Sequence, residues 1–194
     1  AEVYAGGESE KMMGRVLKKK GWDRTSYTIS SKAFFGWRGK QNKPNQTGLS
    51  RKHLTEACNE ALQRLQMDYI DLYFCHRPDK NVPIEEVVWT MNILIQQGKI
   101  LYWGTSEWSG VEIMEAHRVA HQYNLIGPAV EQPQYNLFER EKLEKDYLQV
   151  FKTLLDSFQG VYHSFGMAMS AVEAYNVYTY MLQCGDAVEH VFCN

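Results

Sequence analysis

The sequence predicts an α/β fold built around a parallel sheet, and three observations carry that prediction. Helical and extended patterns alternate through residues 1–152. Ile70–Cys75 is apolar apart from Asp71, as expected of a strand covered on both faces. The later strand-to-strand steps are about 30 residues, the size of a βαβ unit.

The elements follow in order. Glu8–Lys20 places Met12, Met13, Val16 and Leu17 at helical spacing, and Gly21 suits the position just past the end. Tyr27–Lys32 reads as a short strand. Gly36–Gly48 is polar and contains Pro44, so it is expected to be a loop. Ser50 caps a helix with Leu54, Ala57, Cys58, Ala61, Leu62 and Leu65 on one face. The strand Ile70–Cys75 follows. Pro83 suits the first turn of a helix whose apolar face is Ile84, Val87, Val88, Met91, Leu94 and Ile95, closed by Gly98. Ile100–Trp103 is the next strand. Ser109-Gly110-Val111-Glu112 is a capping box that opens a helix to about Tyr123. Ala129–Gln132 is another strand, and Glu139–Leu154 another helix.

Composition excludes several classes. At 194 residues the length suits one domain or one and a half. Hydrophobic residues at 44% and charged residues at 23% exclude a disordered, collagenous or coiled-coil chain. No run of 18 apolar residues occurs, so no membrane insertion is expected. Ala1-Glu2-Val3-Tyr4 has neither the charged start nor the apolar stretch of a signal peptide; lacking Met, it is expected to have coding sequence upstream. A net charge of −2 provides no field to attract nucleic acid or anionic lipid. Cys58, Cys75, Cys184 and Cys193 form neither a zinc pattern nor a disulfide framework, which points to a reducing cytoplasm.

Charge also marks a boundary. All 21 Lys and Arg residues lie in 1–152, against 19 acidic ones, a net of +2; the final 42 residues contain no Lys or Arg. The change near 153–156 separates an expected unit 1–154 from a divergent tail 155–194. That tail is either a second structural unit or an aberrant C-terminus, with a weak helical pattern around Met167–Leu182.

Reactive groups in parallel α/β folds gather at the C-terminal ends of strands. Those positions hold Lys32, then His76-Arg77-Pro78-Asp79, then Gly104-Thr105-Ser106-Glu107, then Gln132-Pro133-Gln134, with Tyr4 ahead of the first helix. A Tyr, a Lys and a His at equivalent positions of successive units converge on one pocket. A cation beside a phenol favours phenolate, and an imidazole hydrogen-bonds or relays a proton. The trio suits protonation of a carbonyl oxygen as it becomes an alkoxide.

Five stretches carry a family resemblance: Ala1-Glu2-Val3-Tyr4, Gly48-Leu49-Ser50-Arg51-Lys52-His53, His76-Arg77-Pro78-Asp79, Tyr102-Trp103-Gly104-Thr105-Ser106-Glu107-Trp108-Ser109 and Glu131-Gln132. With these in order, residues 1–152 resemble the aldo-keto reductases, and within them the voltage-gated potassium-channel β-subunit branch. The resemblance implies a (β/α)8 barrel that binds NADP(H) and reduces aldehydes or ketones with an Asp-Tyr-Lys-His tetrad. Tyr4 then matches the general acid, Lys32 the residue that tunes it and His76 the fourth member, which also borders the cofactor. Animal channel β-subunits commonly carry Asn where His76 stands. Ser106 and Gln132 match positions that bind the nicotinamide carboxamide, and Glu107 matches a cofactor-contact position where relatives carry Arg. The implied partners are a small-molecule carbonyl substrate and a potassium-channel cytoplasmic domain, to which an auxiliary subunit docks as a cofactor-redox sensor. A homo-oligomer is implied for the intact family member.

The departures from the family set further expectations. The tetrad Asp belongs two residues before Ala1. The first strand and most of the second precede the chain, and nothing in 155–194 resembles the family's phosphate clamps. About four parallel strands of a barrel are expected, with two open edges. As it stands, such a chain is expected to bind NADPH weakly, to aggregate and to lack reductase function.

Four other features read as structural. His117 and His121 stand one helical turn apart without a third metal ligand. Lys18-Lys19-Lys20 closes a helix, where cations complement the dipole. Gly6-Gly7 lacks the spacing of a dinucleotide fingerprint and reads as a turn. Cys75 reads as a buried strand cysteine.

Overall fold

The computed structural model describes residues 1–154. The expected helix around Met167–Leu182 and the proposed tail unit lie outside the described residues. Four strands form one sheet in chain order: β1 (Ser30–Ala33), β2 (Ile70–Cys75), β3 (Ile100–Thr105) and β4 (Val130–Glu131). Every pairing is parallel, with Lys32 opposite Phe74, Cys75 opposite Thr105 and Thr105 opposite Glu131. Four α-helices accompany them: α1 (Glu8–Lys20), α2 (Arg51–Leu65), α3 (Ile84–Gln96) and α4 (Gly110–Gln122). Consecutive parallel strands are neighbours, so right-handed crossovers put α2, α3 and α4 on the same side of the sheet. This is a run of β/α units, part of a barrel, with β1 and β4 as its outer strands among the described residues. No helix there is long and apolar enough to cross a membrane.

Local chemistry sets the element ends. The Ser50 hydroxyl accepts from the His53 amide, and Ser109 with Glu112 makes the reciprocal capping box. Pro83 sits one residue earlier than the sequence implies, as the cap of α3 rather than within its first turn. The core packs Leu54, Cys58, Ala61 and Leu65 of α2 and Val88, Met91 and Leu94 of α3 against Ile70, Tyr73, Ile100 and Trp103. Cys75 is buried in that layer, and burial raises its thiol well above the ordinary range. Gly14 is where α1 meets α2: a Cβ there would stand 2.6 Å from the Leu65 carbonyl carbon, so only glycine fits.

Four expected elements are corrected. The third strand runs on to Thr105 rather than ending at Trp103, because Gly104 and Thr105 still pair with strands on both sides. The first strand occupies Ser30–Ala33 rather than Tyr27–Lys32. Side chains claim the backbone ahead of it: Arg24 donates to the Tyr27 carbonyl and the Asp71 carboxylate accepts from the Ile29 amide. The fourth strand shortens to Val130–Glu131, although the Ala129 and Gln132 amides still donate to Trp103 and Thr105. The expected helix over 139–154 is broken by a π-helical turn, Lys142–Asp146, before α-helix resumes over 148–154. Tyr147 marks the break, where its buried hydroxyl donates to the Trp108 carbonyl at 2.5 Å. Within the expected loop Gly36–Gly48, a short 3-10 turn spans Gly39–Gln41.

Candidate active site

Strand alternation aims Lys32 away from the helix layer. Its neighbours Ser31 and Ala33 are buried beneath α1 and α2, whereas Lys32 is half-buried on the other face. His76 comes one residue after β2, and its amide continues the ladder by donating to the Ala33 carbonyl at 3.0 Å. Tyr4 begins a tight turn, Tyr4–Gly7, in which Ala5, Gly6 and Gly7 take positive φ values of 49°, 60° and 84°. That left-handed run reverses the chain between Tyr4 and α1. Gly7 is required there twice over, by its φ and because a Cβ would meet the Arg64 side chain at 2.9 Å.

The topology brings these three side chains together. The Tyr4 and His76 rings meet edge to face, 5.6 Å apart at 89°. Lys32 Nζ lies 5.7 Å from the Tyr4 ring centroid and equally far from that of Phe74. Phe35 closes the other side, 5.2 Å from the His76 ring. Tyr4 is half-exposed to solvent, so an incoming molecule can reach its hydroxyl.

His76 is the most perturbed group of the cluster. Burial first, then the charges of Lys32 and Arg77, push its imidazole down to about 4. At neutral pH the ring is therefore uncharged, and its buried Nδ1 makes no hydrogen bond among the described residues. In the unfolded chain a histidine titrates near 6.5. As pH falls from about 6.5 toward about 4, the unfolded state takes up this proton first, and folding stability declines by at most about 3 kcal/mol. Denaturant melts across that window should show a shallower decline in His76→Asn; an unchanged slope would contradict a neutral buried His76.

Ser106 and Gln132 adjoin at the ends of β3 and β4. The Ser106 amide donates to the Cys75 carbonyl at 3.0 Å, and its hydroxyl donates to the Gln132 carbonyl at 2.9 Å. Arg77 joins this pair to the cluster, with Nη1 donating to the His76 carbonyl at 2.5 Å and to Ser106 Oγ at 3.4 Å. Glu107 is beside them in a left-handed conformation (φ 61°), but its carboxylate turns aside. It pairs with Lys142 at 2.8 Å and accepts from the Gln134 amide. Burial would raise that carboxyl; the Lys142 and Gln134 contacts outweigh it and hold it below the ordinary range.

Sequence reasoning missed Glu2, which is 1% exposed. Its Oε1 accepts from the Phe34 amide at 2.7 Å and the Gly36 amide at 2.8 Å, and contacts His53 Nε2 at 3.1 Å. Burial alone would raise the carboxyl, yet these contacts keep it low. Glu2 thereby ties the segment before Tyr4 to the turn that carries Phe35. The interaction spans 51 residues, so no local pattern announces it. Chemically, the arrangement offers a phenol, an ammonium and a neutral imidazole around one solvent-open point, with the Ser106 hydroxyl linked to it through Arg77. A cavity of about 660 Å³ lies elsewhere, between the start of α4 and 146–150, and none of these residues lines it. No group of three metal-binding side chains occurs among the described residues, including around His117 and His121.

Comparison with known proteins adds an independent observation. The model of the aldo/keto reductase family matches residues 1–161. A Schizosaccharomyces pombe protein named as a putative voltage-gated potassium channel subunit beta is 53% identical over 148 residues, which is 76% of this chain and 42% of that protein. Rice and Arabidopsis thaliana proteins named as probable voltage-gated potassium channel subunits beta are each 49% identical, over 79% and 78% of this chain and 45% of their own lengths. The chain thus spans less than half the length of these curated relatives.

Proposed function

Starting from the chain's membership of the aldo/keto reductase family, we propose that it forms the acid–base half of an NADPH-dependent carbonyl reductase. The observation that carries this reading is the packing of Tyr4 against Lys32 and a His76 held neutral. In the proposed reaction the Tyr4 hydroxyl gives its proton to the carbonyl oxygen of an aldehyde or ketone. Lys32 stabilises the phenolate left behind. Neutral His76 hydrogen-bonds the same oxygen and orients it without competing for the proton. Phe35 and Phe74 limit water around these groups.

The residues at the strand ends fit a nicotinamide carboxamide. Gln132 is exposed, and its side-chain amide makes no hydrogen bond among the described residues, while the Ser106 hydroxyl donates to the Gln132 backbone carbonyl. We assign Ser106 and Gln132 to hold that amide, with His76 bordering the ring. Glu107 contributes by fixing the loop through Lys142 and Gln134. When bound, NADPH supplies the hydride. We place the protein in the cytoplasm, a compartment that supplies reduced nicotinamide cofactor.

Fluorescence titration of the full-length protein with NADPH tests this assignment. Saturable binding is expected, weakened by about 10-fold in the Ser106→Ala/Gln132→Leu double variant through loss of two neutral hydrogen bonds. No binding, or binding indifferent to both substitutions, would refute it. The names of the relatives favour a second reading, in which the chain belongs to a voltage-gated potassium channel β subunit; to that reading we add docking on the channel's cytoplasmic domain with the cofactor's redox state as the signal. Co-purification with such a domain, altered between NADPH and NADP+, is the corresponding test.

A further inference from the structure

We propose that Arg77 recognises a carboxylate on the substrate, so that the site selects aldehydes and ketones carrying an acidic group. The inference rests on the reductase reading and adds a substrate class to it.

The other part-buried or buried arginines of the sheet and helix layers are paired. Arg24 meets Asp71 at 2.5 Å, and Arg64 meets Glu10 at 2.6 Å. Arg77 is half-buried too, yet no carboxylate lies within 4.0 Å of it among the described residues. The nearby acids are committed elsewhere: Glu107 to Lys142, and Asp79 to the Leu49 and Asn81 amides. Only Nη1 of Arg77 is engaged, by the His76 carbonyl and Ser106 Oγ, which fixes the plane of the group. Nε and Nη2 make no hydrogen bond among the described residues. A held guanidinium with an unused pair of donors is matched by the two oxygens of a carboxylate.

Placement makes this guanidinium part of the same site. It lies 5.9 Å from the centroid of Phe35, and Phe35 lies 5.2 Å from His76 on its other side. A substrate with its carbonyl at Tyr4 and His76 would lay an apolar segment on Phe35, which is 39% exposed, and present an anion to Arg77. The electrostatics agree. Lys32 and Arg77 are positive and His76 is neutral, so this mouth attracts an anion.

The test compares 4-carboxybenzaldehyde with its methyl ester, the same ring with and without the charge. Dissociation constants are measured by calorimetry on the full-length protein with NADP+ present, and kcat/KM ratios with NADPH. The acid should bind about 10–100-fold more tightly than the ester, the range of charge-assisted hydrogen bonds. Arg77→Leu should bring the ratio close to one. Arg77→Lys, which keeps the charge without the fork, should leave an intermediate ratio. Equal binding of acid and ester by the unaltered protein, or a preference that survives Arg77→Leu, would overturn the proposal. So would a loss of NADP+ affinity with the ratio intact, which would assign Arg77 to a cofactor phosphate. An Arg77-dependent preference without turnover of either compound would uphold the anion site and instead refute the reductase reading.

Discussion

Tyr4→Phe should lower carbonyl turnover in the full-length protein by about 10²–10⁴-fold while NADPH affinity stays nearly constant. The substitution removes one oxygen and keeps the ring. The edge-to-face contact with His76 and the proximity to Lys32 involve the ring itself, so the cluster retains its packing. What disappears is the proton donor at the point where negative charge develops on the substrate oxygen. The loss should appear in kcat and kcat/KM together, because the interaction forms as the proton moves. Undiminished aldehyde reduction by the variant would end the proposed role of Tyr4.

Arg64→Met should destabilise the fold by about 3–5 kcal/mol, the cost of leaving a buried charge without its partner. Glu10 is a fully buried residue of α1, and its carboxylate accepts from Arg64 Nε at 2.6 Å and from the Ser31 hydroxyl. Removing the guanidinium leaves that carboxylate, away from water, with only the Ser31 hydroxyl and the amino group of Ala1 at 3.6 Å. The melting temperature should fall on the order of 10 °C for a chain of this size. Adding Glu10→Met should recover much of the loss, since an apolar pair replaces a stranded charge. A double variant no more stable than Arg64→Met alone would show that the pair is not what holds α1 to α2.

These two effects differ in how far the sequence discloses them. Elements set by neighbouring residues are legible: α1 and β2 occupy the ranges their patterns imply, and the Ser109–Glu112 capping box forms within four residues. The parallel order of the sheet follows from the 30-residue steps, and with it the gathering of Lys32, His76 and Ser106 at one end. Boundaries decided by distant side chains are not legible. Asp71 and Arg24 delay the start of β1, and Tyr147 interrupts the last helix through a bond 39 residues away. The site divides the same way. Tyr4, Lys32 and His76 stand out by residue type at strand ends, whereas Glu2, which pins the turn carrying Phe35, works through His53 in another helix. Arg77 is visible in the His76-Arg77-Pro78-Asp79 stretch, but its lack of a carboxylate partner among the described residues emerges only once Glu107 and Asp79 are seen to be occupied.

Hydride transfer is the central claim, and an isotope label tests it most directly. The full-length protein is incubated with 4-carboxybenzaldehyde and NADPH carrying deuterium at both positions of nicotinamide C4, and the product alcohol is analysed by mass spectrometry. The account requires an alcohol carrying one deuterium on its new C–H bond and a hydroxyl proton drawn from solvent. An alcohol without the label, or no alcohol at all while the protein remains folded, would contradict it.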